Sequence, residues 1–183
     1  MSLFHAFVLG LVQGLSEFLP ISSSGHLILV PWLFGWEDFQ GVENAEELKK
    51  AFDVSLHAGT LVAVVAYFRR DIVKYVREGL GLLIRREKPT TPDGRIAWLL
   101  VLATVPAALV GAVFEEQIDT VLGEPWIIAV PLIGFGIVLW WADQKLGRRV
   151  IDGMTTRDAL TIGAAQALAL NPGTSRSGIT ITA

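Results

Sequence analysis

Nineteen consecutive residues without a charge, Ile96–Phe114 (IAWLLVLATVPAALVGAVF), decide the class of this chain. An α-helix needs about 20 mostly apolar residues to cross the hydrocarbon core of a bilayer. A second run, Pro125–Ala142, is uncharged for 18 residues. Outward from these two, residues 54–68 also lack charge, residues 1–36 hold only Glu17, and residues 159–183 hold only Arg176. Trp98, Trp126, Trp140 and Trp141 stand at or near the ends of the two longest runs, where amphipathic rings favour the headgroup level. Of the 183 residues 52% are hydrophobic and 18% charged, and their segregation reads as an all-α polytopic membrane protein. The net charge of −3 argues against nucleic acid as a partner. The absence of Cys excludes disulfide scaffolds, thiolate metal sites and a cysteine nucleophile. The first segment has no basic n-region and runs on apolar past Glu17, so it reads as mature protein.

Lys and Arg counts orient the chain, since cytoplasmic loops carry the excess. The interval 37–53 has only Lys49 and Lys50, 69–95 has eight basic residues, 115–124 has none and 143–158 has four. This gives outside, inside, outside, inside, with three spans at about 51–68, 96–114 and 125–142. Asp71–Arg86 is expected to form an amphipathic helix on the cytoplasmic surface, and EKPTTPDG (87–94) a solvated turn.

The ends thread differently. Residues 1–36 form two apolar pieces split at Pro20-Ile-Ser-Ser-Ser-Gly25, and 22–36 are too few for a comfortable span. A re-entrant hairpin buried in protein is expected, because irregular backbone at membrane depth is tolerated only there. A similar broken segment follows. Gly10-x-x-Gln13 matches Gly163-x-x-Gln166, and Ser, Ser and Gly recur at the same offsets from each Gln (Ser22, Ser24, Gly25 and Ser175, Ser177, Gly178). Pro20 and Pro172 fall near the same offset. Residues 1–145 thus read as a first repeat. Residues 155–183 read as the start of a second, inverted one, because three spans between the copies reverse its direction. Inverted repeats with broken helices place binding sites near the midplane. A second copy as long as the first would need on the order of a hundred more residues, so a truncated chain is expected.

A carboxylate at membrane depth is costly and functional by default, which singles out Glu17. Gln13 lies one turn earlier on the same face, so the pair offers hard oxygen ligands suited to Mg²⁺ or Ca²⁺. Ser22-Ser23-Ser24-Gly25-His26 opens the second half of the hairpin. One serine there can cap a helix, and His26 can act as acid, base or nucleophile. His5 and His57 have no such neighbours in sequence and read as structural. The second broken segment adds Thr174, Ser175, Ser177 and Gly178, whose small side chains let amides approach an anion, and Arg176, whose fork suits phosphate oxygens. A carboxylate, a His, hydroxyls and an Arg around two breaks suggest phosphate-ester or diphosphate chemistry in the membrane. Attack on phosphorus is open to Ser23, His26 or water, and Glu17 to the roles of base, metal ligand or orienter of His26.

Gln13–Leu27 (QGLSEFLPISSSGHL) resembles the first signature of the undecaprenyl-diphosphate phosphatase family, also called the bacitracin-resistance proteins. Pro172–Thr180 (PGTSRSGIT) resembles its second signature. The resemblance implies an inverted-repeat membrane fold and hydrolysis of a C55 prenyl diphosphate at the outer face. It implies site residues at Glu17, Ser23, His26, Ser175 and Arg176, with Ser22, Ser24, Thr174 and Ser177 nearby. Gln13 stands where some members have Glu, which weakens any seat needing two carboxylates. The lipid substrate and the bilayer are the expected partners, with a second copy of the chain as an allowed one. The alternative is an inverted-repeat transporter or flippase, which would need no nucleophile.

Overall fold

The computed structural model describes residues 1–39, 41–85, 91–121, 125–145, 147, 151–171 and 173–183, and among these every regular element is a helix. The chain is an all-α membrane protein. Helix α1 (Leu3–Phe18) and helix α2 (Ser23–Phe34) form the first hairpin. Its turn passes through Ser22 at φ +65°, and α2 stops at Gly35 at φ +63°. The open end is fastened. His5 Nδ1 lies 2.7 Å from Asp38 Oδ2, and the His5 ring stacks on Trp36 at 3.9 Å. His5 thus ties the start of α1 to the segment after α2.

Helix α3 (Ala45–Tyr67) is followed, after a bend of 77°, by helix α4 (Arg69–Arg85). The expected span began near residue 51, but the helix starts six residues earlier. Glu46 and Glu47 occupy its first turn, where the positive end of the helix dipole favours carboxylates. Lys74 of α4 forms a 2.7 Å ion pair with Asp93, and that hydrogen bond holds the Lys74 ammonium above the usual lysine range.

Helix α5 (Pro92–Val121) starts on Thr91, whose Oγ1 accepts from Gly94 N–H at 3.3 Å. The stretch 87–94 is therefore not all turn: 92–94 are helical, and 87–90 lie outside the described residues. The interval that follows the span expected at 96–114 begins helical. Phe114 interrupts α5 with φ −113°, where the uncharged run ends, yet the chain stays helical to Val121. No Gly or Pro stands between Phe114 and Gly123 to stop it; residues 122–124 lie outside the described residues. Helix α6 (Pro125–Asp143) completes the central group. Pro92–Phe114 and Trp126–Asp143 are each long and apolar enough to cross a membrane, and Ala45–Tyr67 adds a third if it and α4 count as one bent span. Val130, Ile133 and Ile137 of α6 are 72%, 64% and 61% exposed, apolar surface that suits lipid rather than water. Lys145 lies 3.4 Å from the centroid of the Trp141 ring, a cation–π contact at the end of α6.

Helix α7 (Thr156–Leu168) opens with a capping box between Thr155 and Asp158, and helix α8 (Arg176–Thr182) follows a second tight turn. Pro172 of the repeat pattern lies outside the described residues. The best-buried apolar cluster joins α5 to α7 through Leu99, Ala103 and Ala159. Gly163 allows this approach: a Cβ there would press on the Ala103 carbonyl oxygen and come within 3.0 Å of Pro106. Close packing through small residues is the usual adhesive between helices in lipid. Gly163→Ala should therefore destabilise the protein by about 1–3 kcal/mol, the scale of overpacking a tight contact. Thermal unfolding in detergent measures this, and an unchanged midpoint would contradict the α5–α7 contact.

Candidate active site

The two broken segments share one local chemistry. In the first, Ser22 Oγ accepts from Gly25 N–H at 3.4 Å and lies 3.5 Å from Ser24 Oγ. In the second, Ser175 Oγ accepts from Gly178 N–H at 3.1 Å and lies 3.0 Å from Ser177 Oγ. Each Ser-x-Ser-Gly sequence caps a helix with its first serine, so the second residue becomes the first of the helix body. That residue is Ser23 in α2 and Arg176 in α8.

The two tips interlock. Ser177 Oγ donates to the Leu19 carbonyl at 3.3 Å. A Cβ on Gly25 would lie 3.5 Å from Gly173 Cα, and one on Gly178 would lie 3.3 Å from the Pro20 carbonyl oxygen. Gly173 itself sits at φ +92°, and a Cβ there would meet the Ile128 carbonyl of α6, so only glycine serves there.

Between the tips is a polar cleft of about 60 Å³, lined by Ser16, Glu17, Ser22, Ser23, Ser24, His57, Ala169, Thr174, Ser175, Arg176 and Ser177. A larger groove of about 580 Å³ adjoins it, walled by Phe18, Val54, Ala58, Leu61 and Val64. Glu17, His57 and Arg176 line both.

Glu17 is the hub. Ser23 Oγ donates to Glu17 Oε2 at 2.5 Å, and Gln13 Nε2 donates to the same oxygen at 2.9 Å. A bond that short to a carboxylate is charge-assisted and orients the serine oxygen. Thr174 is 4% exposed, and its Oγ1 has no described partner. A buried hydroxyl left so costs about 1–3 kcal/mol, so it stands ready for a ligand in the cleft. Arg176 is exposed and has no ion pair among the described residues; Glu17 does not hold it.

Two expectations change. His26 Nδ1 donates to the Ser22 carbonyl at 2.8 Å. Its ring lines a separate, mainly apolar cavity of about 380 Å³ with Pro20, Ile21, Leu132, Phe135 and Ile179, rather than the Glu17 cleft. Gly178 lines that same cavity, which Ser175 shares with the cleft. The amides from Thr174 to Gly178 are also less open than their small side chains suggest. Gly178 N–H is held by Ser175 Oγ, and Thr174 N–H donates to the Asn171 carbonyl at 3.1 Å.

His57, read as structural, borders the cleft beside Glu17. It lies on α3 with Nε2 at 3.8 Å from Glu17 Oε2, and its Nδ1 donates to the Asp53 carbonyl at 2.8 Å. The sequence carries only a faint sign of this: Asp53, His57 and Thr60 share one helix face of an apolar run.

A divalent cation has a partial seat. Among the described residues no cluster of three or more His, Cys, Asp or Glu side chains could hold a metal. Gln13, however, is 1% exposed and its Oε1 has no described partner. One carboxylate with a stranded amide oxygen fits an ion that keeps waters and substrate oxygens as its other ligands.

Residues 6–183 match the family described as "Bacitracin resistance protein BacA". The chain belongs to that family. It is 50% identical to an undecaprenyl-diphosphatase of Moorella thermoacetica over 185 residues, covering 100% of this chain and 65% of that protein. An undecaprenyl-diphosphatase of Thioalkalivibrio sulfidiphilus is 51% identical, with the same coverage. One of Elusimicrobium minutum is 48% identical over 98% of this chain and 63% of its own length. The chain thus spans just under two-thirds of the length of these relatives, and it contains both interlocked tips.

Proposed function

We propose that this chain carries the site of a membrane phosphatase that hydrolyses undecaprenyl diphosphate to undecaprenyl phosphate and inorganic phosphate. Such an enzyme recycles the carrier lipid for cell-wall synthesis and confers resistance to bacitracin. The observation that carries the reading is the 2.5 Å bond from Ser23 Oγ to Glu17 Oε2, in a cleft also lined by Arg176, which has no ion pair among the described residues. A nucleophile held by a base, facing a free cation, suits phosphoryl transfer.

In this reading the terminal phosphoryl group enters the cleft. Arg176 and the Thr174 hydroxyl bind its oxygens, where charge develops in the transition state. Ser23 Oγ attacks phosphorus while its proton passes to Glu17 Oε2, and the bond to the prenyl phosphate breaks in line. Glu17 gives that proton to the departing prenyl phosphate, then takes one from the water that attacks the phosphoserine and returns it to Ser23 Oγ as phosphate leaves. His26, bonded to the Ser22 carbonyl, holds the turn that aims Ser23. Mg²⁺ or Ca²⁺ on Glu17 and Gln13 would neutralise charge on the diphosphate oxygens. Exhaustive chelation should therefore abolish turnover and added Mg²⁺ restore it; full activity in chelator would remove the cation from the account.

Because the chain spans 63–65% of its relatives' length, activity is best assayed in a protein of their length carrying these residues. Phosphate release from undecaprenyl diphosphate in proteoliposomes is the test of function. A transporter or flippase would move the lipid without releasing phosphate.

The reading places the protein in the plasma membrane with the cleft toward the outer face, in an inverted repeat, and allows assembly as a homodimer. The charge distribution supports this: 69–95 carries eight basic residues against two in 37–53. The chain has no Cys, so single cysteines report orientation directly. Gly41→Cys should react with an impermeant maleimide from outside and Thr91→Cys should not. The opposite pattern would overturn the threading.

A further inference from the structure

His57 lies against the hub of the cleft, and the proton transfers above leave it without a task. Its Nδ1 is 2.8 Å from the Asp53 carbonyl oxygen. A carbonyl only accepts, so the proton sits on Nδ1 and Nε2 of the neutral ring carries a free lone pair. In the neutral ring that lone pair lies 3.8 Å from Glu17 Oε2, and neither atom then has a proton to give the other. Beside them is Gln13, whose Nε2 reaches Glu17 at 2.9 Å and whose buried Oε1 has no described partner. A nitrogen lone pair and a carboxylate thus meet between α1 and α3, with the Gln13 amide beside the carboxylate.

A cation reconciles these three groups. Two donors each about 2.1 Å from one ion can stand no more than about 4.2 Å apart, and the 3.8 Å from His57 Nε2 to Glu17 Oε2 lies within that limit. An imidazole whose other N–H is anchored on a backbone carbonyl is also the usual arrangement of a metal-ligating histidine, because the anchor fixes both tautomer and ring orientation. Gln13 reaches the ion through Oε1, by a half-turn of its amide if needed.

We propose that His57 is, through Nε2, the third protein ligand of the cation seat formed by Glu17 and Gln13, and that this seat prefers Mn²⁺ to Ca²⁺. The proposal deepens the cation reading given above. A seat of oxygens alone suits Ca²⁺ and Mg²⁺, whereas an imidazole nitrogen shifts preference toward first-row transition ions.

The test is Mn²⁺ binding to the detergent-solubilised protein, purified without a histidine tag and followed by electron paramagnetic resonance. Wild type should bind Mn²⁺ more tightly than Ca²⁺, and its pulsed spectrum should carry the nitrogen modulation of a bound imidazole. His57→Gln should abolish that modulation and weaken Mn²⁺ binding by at least ~10-fold, the lower end for loss even of a ligand's outer partner. It should leave Ca²⁺ affinity nearly unchanged, and Glu17→Ala should abolish tight Mn²⁺ binding. Bound Mn²⁺ without nitrogen modulation, modulation that survives His57→Gln, or no Mn²⁺ binding by wild type would each overturn the proposal. Phosphate release by a protein of the relatives' length carrying these residues, measured beside its Mn²⁺ spectrum, separates the two ideas. Release without the nitrogen signature leaves the phosphatase standing and removes His57 from the seat. The signature without release does the reverse.

Discussion

Ser23→Ala should lower the rate of phosphate release by at least ~10³-fold, the effect expected when a covalent nucleophile is removed and only binding and charge stabilisation remain. The hydroxyl is the sole donor that Ser23 brings to the cleft, and its 2.5 Å bond to Glu17 Oε2 defines the path of its proton. Ser22 and Ser24 do not substitute for it. Ser22 Oγ is committed to capping α2 at Gly25, and Ser24 Oγ pairs with it at 3.5 Å. Rapid-quench assays in proteoliposomes measure the loss. Near-normal turnover in Ser23→Ala would pass the role of nucleophile to water. Glu17→Ala should fall by a comparable factor, because serine is a weak nucleophile without its base.

Arg176→Ala is expected to lower kcat/KM by at least ~10²-fold, about 2.7 kcal/mol of transition-state stabilisation. No carboxylate among the described residues neutralises this guanidinium, and it borders both the polar cleft and the adjoining groove. It is free to meet an anion at their junction. Arg176→Lys keeps the charge but loses the planar fork that matches two phosphate oxygens at once, so it should recover only part of the rate. A full rate in Arg176→Ala would separate the second tip from the chemistry.

Physical reasons divide what was legible in the sequence from what was not. Charge segregation exposed the membrane helices, because lipid penalises every charge placed in a span. The Ser-x-Ser-Gly caps were legible because capping is local: serine and the amide it accepts from lie three residues apart. Helix ends were harder. The helical stretch after Phe114 and the early start of α3 at Ala45 lie in polar sequence, where no Gly or Pro marks a boundary. Side-chain direction was harder still. His26 adjoins the serine run in sequence yet turns into an apolar cavity, while His57, on a different helix from Glu17, comes within 3.8 Å of it. Such a neighbour depends on how α3 packs against α1, and no local pattern encodes it.

The central claim is that the two tips, 153 residues apart between Ser23 and Arg176 (176 − 23), form one active site. Residues that act as a unit lose activity together, so their effects do not multiply. The direct measurement is phosphate release from undecaprenyl diphosphate by wild type, Ser23→Ala, Arg176→Ala and the double variant in the same proteoliposomes. The account predicts that adding Arg176→Ala to Ser23→Ala costs clearly less than the ~10²-fold it costs alone. A double variant slower by the full product of the two single losses, or either single variant at the wild-type rate, would contradict it.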